Sequence, residues 1–322
     1  MKKITKLFLA FFMALSFTAC SSPNETLSIK WEKENKFADL VSFQIETIGK
    51  PQQIIPDIID GGYNYYKVNK ESNVLIDMVV QMTNLIDKEL ELAKTMTGTF
   101  VIDKTDYEAS MALVSEDGKS ISESVILAPK ATRKIHFYAE VSPKLLEQEI
   151  EFKFTTVEKD EDDVKTARMK FLLKDVEKHY ETKKLNDTIS SKDKGDIVLQ
   201  AVNQTKKLEP ANPAGLYKYY RVKSDSNSFV VVTTTVTNTS SSDINAASLA
   251  SAKLIDQDGK EYMATMFYEF DDHSNLAYAS SMTLSAGQSG TVHFAFEVSD
   301  EIAKGEKTII FTSFAKAYLL KV

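Results

Sequence analysis

Tyr63-Asn64-Tyr65-Tyr66-Lys67-Val68 and Tyr217-Lys218-Tyr219-Tyr220-Arg221-Val222 are two versions of one segment, 154 residues apart. The same spacing aligns Pro56 with Pro210, Gly61 with Gly215, Ser72-Asn73 with Ser226-Asn227, and Thr83-Asn84 with Thr237-Asn238. Ten identities at one constant spacing are the signature of an internal repeat. The sequence therefore predicts a chain built from two related halves.

Two later pairs of matching segments have other spacings. Asp117-Gly118-Lys119 matches Asp258-Gly259-Lys260 at 141 residues, and His136-Phe137 matches His293-Phe294 at 157 residues. These changes predict 13 extra residues in the first copy, around 88–105, and 16 in the second, around 261–283. Because shared segments form the framework, we expect both insertions to be loops, where specificity commonly lies.

The shared segments have the composition and alternation of β-strands. The runs at 74–82 and 229–236 are rich in β-branched residues, and 291–298 alternates apolar and polar side chains. The two Asp-Gly pairs are typical of hairpin turns, since glycine accepts a positive φ. The predicted fold class is all-β, with two tandem immunoglobulin-like β-sandwich domains.

One set of motifs resembles a known family. Val236-Thr237-Asn238, then Asp256-Gln257-Asp258-Gly259-Lys260, then a strand pair from Leu284 to Val298 resemble the immunoglobulin-like domains of unknown function in lipoproteins of low-GC Gram-positive bacteria. The first copy has Pro129-Lys130 in place of the Ala286-Gly287 turn. The resemblance covers roughly residues 40–155 and 196–322, and it implies a fold and a location but no common activity.

The N-terminus has the features of an export signal. Three lysines precede an eleven-residue apolar run, Leu7 to Phe17, which is too short to span a membrane as a helix. Phe17-Thr18-Ala19-Cys20 then resembles the lipobox of a bacterial lipoprotein, although Phe17 replaces the usual leucine. Cys20 is the only cysteine, and we expect its thiol to be lipidated, which attaches the protein to the outer face of the membrane.

The predicted organisation follows from these signals. Residues 1–19 form the lipoprotein signal peptide, 20–27 a lipidated tether, 28–181 the first domain, 182–195 a linker and 196–322 the second domain. The linker assignment rests on the polar, charged composition of that segment.

Charge excludes one class of partner. Without the first twenty residues, 36 Lys and Arg stand against 46 Asp and Glu, a net charge of −10. Nucleic-acid binding relies on clustered Lys and Arg, so we expect no nucleic-acid partner. An acidic protein also gains little from anionic lipids, so membrane attachment falls to the lipid on Cys20.

Our candidate partner-binding residues lie in the second insertion. They are the apolar and aromatic side chains Met266, Phe267, Tyr268, Phe270 and Tyr278, types that are enriched at the centres of interfaces. The alternative is that they belong to a strand and fill the sandwich. The repeated tyrosines pose the same choice, between an aromatic platform for a glycan or peptide and a structural face with exposed hydroxyl groups.

Polar candidates are weaker. His136 and His293 occupy equivalent positions, out of phase with the apolar residues, so we expect them to face outward or to lie at a sheet edge. No histidine pair has metal-ligand spacing, and no cofactor or metal site is predicted. Calcium at Asp256, Asp258, Glu261 and Asp271-Asp272 is an alternative, but an Asp-Gly hairpin explains the first three residues more simply.

The sequence predicts a non-enzymatic, lipid-anchored binding module at the cell surface, with a protein or cell-wall partner. It contains none of the nucleophile-elbow, metal-protease or phosphate-loop motifs. One alternative is a solute-binding lipoprotein of a transporter, which would have two α/β lobes around a cleft. Another is a cell-envelope hydrolase, which would require a nucleophile, a metal site or an acid pair.

Overall fold

The computed structural model describes residues 26–31, 33–58, 63–157 and 163–320. The predicted signal peptide, Cys20 and most of the tether lie outside these residues, as does Gly61 of the repeat. The predicted all-β fold class is confirmed, because strands make up most of the described chain.

The first half contributes fourteen strands among the described residues. They are β1 Thr26–Ser28, β2 Asn35–Phe37, β3 Val41–Gly49, β4 Gln53–Ile54, β5 Tyr66–Lys67, β6 Val74–Asn84, β7 Leu90–Glu91, β8 Met96–Ile102, β9 Thr105–Val114, β10 Ile121–Ser122, β11 Ile126–Leu127, β12 Thr132–Val141, β13 Glu149–Thr156 and β14 Thr166–Leu172. The short helix α1 spans Leu92–Thr95, and 3-10 helices span Pro143–Glu147 and Leu173–His179.

The described second half contributes fifteen strands. They are β15 Glu181–Lys183, β16 Thr188–Ser191, β17 Gly195–Thr205, β18 Lys207–Leu208, β19 Tyr220–Arg221, β20 Asn227–Asn238, β21 Ile244–Asn245, β22 Ala250–Asp256, β23 Glu261–Met263, β24 Thr265–Glu269, β25 Leu276–Tyr278, β26 Thr283–Leu284, β27 Ser289–Ser299, β28 Lys307–Ser313 and β29 Lys316–Leu320. Helix α2 spans Asp300–Lys304, and 3-10 helices span Ala246–Ser248 and Ala279–Ser281.

The two halves share one strand topology. In the first half the sheet order is β1-β14-β13-β8-β9-β12-β6-β3-β2, and β9 pairs with strands of both layers. In the second half the matching strands form two sheets, β15-β29-β28-β22-β23 and β16-β17-β20-β27-β24-β25. The break between β23 and β24 therefore replaces the continuous strand β9. In both halves the parallel edge pair, β1 with β14 or β15 with β29, lies at the same end.

Aromatic side chains join the two layers of each half. Phe137 of β12 packs edge-on against Phe152 and Phe154 of β13, at ring-centre distances of 5.7 and 5.4 Å. In the second half Phe294 of β27 meets Phe311 of β28 at 4.6 Å. All five rings are almost completely buried, so each half has the packed interior of a β-sandwich.

The Asp-Gly turns occupy different places in the two halves, which overturns the predicted insertions. Both glycines have positive φ, +71° at Gly118 and +78° at Gly259, as the turn chemistry predicts. However, Gly118 lies between β9 and β10, whereas Gly259 lies between β22 and β23. The true counterpart of β22 is β8, which begins 154 residues earlier. Residues 96–102 and 261–269 are thus framework strands, and the insertions came from aligning two unrelated turns.

The segment predicted as a linker, 182–195, is mostly strand. β15 pairs with β29, and β16 pairs with β17, so this segment supplies edge strands to both sheets of the second half. Exposed edge strands are commonly polar and charged, which is why their composition resembled that of a linker. The tether prediction also ends too late, because β1 begins at Thr26 and pairs with β14.

A buried asparagine ends the central strand of each half. The side-chain amide of Asn84 donates to the carbonyl oxygens of Lys88, Leu127 and Ala128, at 2.8, 3.0 and 3.1 Å. In the second half Asn238 donates to Ser242 and Leu284, at 2.7 and 2.9 Å. Both asparagines are fully buried. Each therefore ties β6 or β20 to the loop that follows it and to the segment before β12 or β27.

The two halves pack directly on one another. Ile310 of β28 and Ala317 of β29 point away from their own sandwich and are buried in the same cluster as Ile48 and Val176 of the first half. The interface is apolar on this side, so it contributes to folding as a core does. Within the described residues, no helix is long and apolar enough to cross a membrane.

We expect Asn84→Ala to lower the free energy of unfolding by about 1–3 kcal/mol, because it leaves buried carbonyl groups without a donor. Asn64→Ala is the control: Asn64 is exposed and should shift stability by less than about 0.5 kcal/mol. Urea unfolding followed by tryptophan fluorescence measures both changes. Equal stability of the two variants would contradict a structural role for the Asn84 amide.

Candidate functional site

A large cleft lies between the two halves. It encloses about 1000 Å³ and is lined by the outer faces of β3, β6 and β12 on one side and by β22 and β23 on the other. A second cavity of about 700 Å³ adjoins it and shares the residues Glu46, Asp57, Lys134, Ser251 and Thr312. A charged cluster of the first half therefore lies where the two cavities meet.

Lys134 is the centre of this cluster. Its ammonium group lies 2.5 Å from Asp57 Oδ2 and 3.3 Å from Glu46 Oε2, and Gln81 donates to Glu46 Oε1 at 2.7 Å. Burial disfavours a charged lysine, but the two carboxylates outweigh this effect and raise the pKa of Lys134. Lys134 is therefore a permanent cation that neutralises two neighbouring acids.

Glu46 reaches this position through a β-bulge. The pairing of β3 with β6 shifts register between Ile45 and Thr47, which leaves Glu46 as the extra residue. The second half has a bulge at the equivalent place, between Leu199 and Ala201. A bulge turns a side chain out of the regular alternation, and here it directs a carboxylate against the outer face of the sheet.

His136 lies beside the cluster on β12. Its Nδ1 is 2.9 and 3.1 Å from the two carboxylate oxygens of Asp77, and the ring borders the large cleft. Its Nε2 is buried and has no hydrogen-bond partner. Burial alone would lower the pKa of His136, but Asp77 raises it, and the net shift is upward.

The prediction that His136 and His293 face outward at an edge is wrong. Both do lie out of phase with the sandwich core, but they are buried on central strands. The outer face of each central sheet is covered, by β4, β5 and the other half in one case and by β18, β19 and β25 in the other. Alternation in a strand reports the face of a side chain and not whether that face is covered.

His293 has a different environment from His136. Its Nε2 is 2.8 Å from Glu269 Oε2, and its Nδ1 is 3.0 Å from the Thr233 hydroxyl. Burial alone would raise the pKa of Glu269, but hydrogen bonds from His293 and from the amide of Ala211 lower it. This hydroxyl, imidazole and carboxylate resemble a catalytic triad in connectivity. The three residues border none of the cavities of the described chain, so a substrate has no space there.

The predicted partner-binding residues do not form an exposed surface. Met266 and Tyr268 fill the core of the second sandwich, and Phe270 packs against it. Phe267 is 3% exposed and lies on the outer face of the sheet, beneath Tyr220 at 4.0 Å and Tyr278 at 5.4 Å. Of the five, Tyr278 is the most accessible. The alternative, that this segment is a strand, is what the structure shows.

The repeated tyrosines divide into covered and exposed members. Tyr66 stacks on Tyr138 at 5.8 Å, and Tyr220 packs on Phe267, so one tyrosine of each copy closes the outer face of the sheet. The other two remain outside as a pair in each half. Tyr63 and Tyr65 have ring centres 6.3 Å apart, and Tyr217 and Tyr219 have theirs 6.2 Å apart.

The second tyrosine pair is held in place by charge. The Lys207 ammonium lies 4.1 Å from the ring centre of Tyr219 and 5.9 Å from that of Tyr217. Glu209 accepts hydrogen bonds from both Lys207, at 2.6 Å, and the Tyr217 hydroxyl, at 2.9 Å. Tyr65 and Tyr219 are each half exposed, so both pairs present aromatic faces to solvent.

The acids considered for calcium are already engaged. Asp256 accepts hydrogen bonds from the amides of Asp258 and Lys260 in the turn and from the Tyr262 hydroxyl. Asp271 accepts from Tyr268, and Asp272 from Ser274. The part of the chain that the structure describes contains no group of three or more His, Cys, Asp or Glu arranged for a metal ion.

Sequence comparison gives a family without an activity. A family model described as "Domain of unknown function (DUF4352)" matches residues 159–318. Similar solved structures include an uncharacterised β-sandwich protein from Clostridium difficile 630, with 20% identity, 44% of this chain and 95% of that chain covered, and a TM-score of 0.40. Another is a conserved hypothetical protein from Bacillus anthracis, with 16% identity, coverages of 42% and 94%, and a TM-score of 0.30. No curated protein matches the chain.

We expect the His136–Asp77 pair to make stability depend on pH. Because the folded state raises the pKa of His136 above its ordinary 6.5, the pair stabilises the fold fully below pH 6.5, and this contribution is lost as the pH rises through the folded pKa. Asp77→Asn should remove that decline. Asp103→Asn, at an exposed turn, should keep the profile of the parent protein. Thermal unfolding between pH 6 and 9 measures the difference, and identical profiles for parent and Asp77→Asn would contradict the assignment.

Proposed function

We propose that this protein is a lipid-anchored, non-enzymatic binding protein on the outer face of the cell membrane, and that it binds cell-wall glycan through one exposed tyrosine pair on each half. The duplicated pairs are the observation that carries the proposal. The repeat explains Tyr66 and Tyr220 as framework, but the exposed members of both copies have no packing role of that kind. Tyrosine is a residue type that binding surfaces favour, since its ring is apolar and its hydroxyl is polar.

Two pairs on one chain suit a repeating partner. Glycan strands repeat one unit, and two linked sites of modest affinity gain an avidity of about 10²–10⁴-fold when both engage the same polymer. The net charge of −10 disfavours anionic polymers and leaves uncharged sugar faces as the better match. Aromatic rings present flat apolar surfaces to such faces.

Attachment to the membrane is supported by the N-terminal sequence. The basic residues, the short apolar run and Phe17-Thr18-Ala19-Cys20 have the order of a lipoprotein signal. A single acyl chain binds membranes only marginally, whereas a diacylglyceryl group supplies two chains and a durable anchor. The anchor holds the protein where the wall is within reach.

Cys20→Ser should release the protein from the membrane. We expect the variant to appear in the culture medium or the soluble fraction, and to lose the incorporation of an alkyne-labelled fatty acid that the parent protein shows. Cell fractionation with in-gel fluorescence measures both. Membrane retention of Cys20→Ser, or an unlabelled parent protein, would contradict lipid anchoring.

Tyr65→Ser and Tyr219→Ser should each weaken binding to purified cell wall by about tenfold or more, since each removes one of two linked sites. Co-sedimentation with peptidoglycan measures the affinity. The control is Ile126→Ser combined with Leu185→Ser, which removes apolar side chains of comparable exposure elsewhere. If the parent protein does not sediment with the wall, or if the control loses as much affinity as the tyrosine variants, the glycan proposal fails.

A further inference from the structure

The two copies of the repeat distinguish framework from function on the outer face of the central sheet. At the spacings of the repeat, Glu46, Asp57, Asp77 and Lys134 correspond to Gln200, Ala211, Val231 and Thr291. The second half therefore completes the same fold with uncharged residues at all four places. Buried charges are costly unless paired, so the charged cluster of the first half is not required by the topology.

The histidines provide the same comparison at one residue. His136 and His293 are equivalent, central and similarly buried. In the second half, away from any cavity of the described chain, both ring nitrogens have partners. In the first half, where the ring borders the large cleft, Nε2 has none. A buried polar group without a partner costs about 1–3 kcal/mol, and a ligand oxygen at this nitrogen would remove that cost.

The cleft contains unpaired cations. Its carboxylates Glu46, Asp57 and Glu261 are neutralised by ion pairs with Lys134 and Lys253. By contrast, Lys67, Lys223 and Lys260 line the same cleft and form no ion pair within the described residues. These three ammonium groups come from both halves, so an anion held among them would contact both walls.

We propose that the cleft between the halves binds a small organic anion, and that an oxygen of its carboxylate or phosphate group accepts a hydrogen bond from His136 Nε2. The volume of about 1000 Å³ accommodates a molecule of metabolite size. The rings of Tyr63 and Tyr262 and the side chain of Ile54 line the cleft and supply apolar contact for the rest of the molecule. This site does not depend on the proposed glycan binding, and it involves neither Tyr65 nor Tyr219.

Asp77 prepares His136 for this role. Its carboxylate accepts from Nδ1–H, which fixes the orientation of the ring and directs Nε2 away from Asp77. With Nδ1 occupied in this way, the protonated ring has one remaining N–H, at Nε2. Asp77 is thus a positioning residue, and His136 is the residue that contacts the ligand.

Nitrogen-detected NMR of the imidazole rings tests the site directly. The chain has four histidines, His136, His179, His273 and His293, and single His→Gln variants assign their signals. The purified protein is titrated at about pH 6 with inorganic phosphate, with benzoate, and with benzyl alcohol as the uncharged counterpart of benzoate. We expect a saturable shift of His136 with an anion and none with benzyl alcohol. His293, with both nitrogens bonded, is the internal control.

The Lys223→Gln/Lys260→Gln double variant separates binding from folding. Both side chains are exposed, so the variant should keep the unfolding midpoint of the parent protein while the anion binds at least about tenfold more weakly. A stronger response to benzoate would identify the group as a carboxylate, and a stronger response to phosphate as a phosphate. The absence of a saturable His136 shift with either anion, equal shifts at His136 and His293, or unchanged affinity in the double variant would overturn the proposal.

Discussion

The buried asparagine at the end of each central strand is the constraint on which the rest of the fold depends. Asn84 and Asn238 each bond two separate loops while lying in an interior that offers them no water. Such a side chain is satisfied in only one alignment of strand and loop, and a shift by one residue would move it to the opposite face. The asparagines therefore fix the register of β6 and β20, and this register decides which residues face the sandwich core and which face outward.

The outward face is where the two halves diverge. In both copies, one end of this face is closed by a tyrosine, Tyr66 or Tyr220, over an apolar patch. At the other end the second half has Thr233 and His293, which are bonded to each other and to Glu269. The first half instead has charged residues that face the cleft. Duplication thus supplied one stable framework, and the surface between the copies changed independently of it.

Sequence reasoning found the strands, the duplication and the hairpin glycines, because these follow from local periodicity and turn chemistry. It misplaced the insertions because an Asp-Gly pair specifies a turn and not its position in the topology; Gly118 and Gly259 satisfy one rule in two different hairpins. It missed the candidate cleft because burial of an outward face depends on distant segments. One signal was available: Asp77 interrupts an otherwise apolar alternation in β6, and its counterpart at the repeat spacing is Val231.

The contact between the halves determines what kind of binding the cleft can perform. A polar linker would imply two sandwiches that move freely, but residues 181–183 pair with β29, and Ile310 and Ala317 are buried against the first half. Packed apolar contacts of this kind resist continuous deformation. The walls of the cleft are therefore held in place before a ligand arrives, so binding need not bear the entropic cost of ordering them. A preformed cleft with an unsatisfied nitrogen beside it favours selection of a small ligand by shape and charge, whereas exposed tyrosines on the same molecule favour a large, repetitive one.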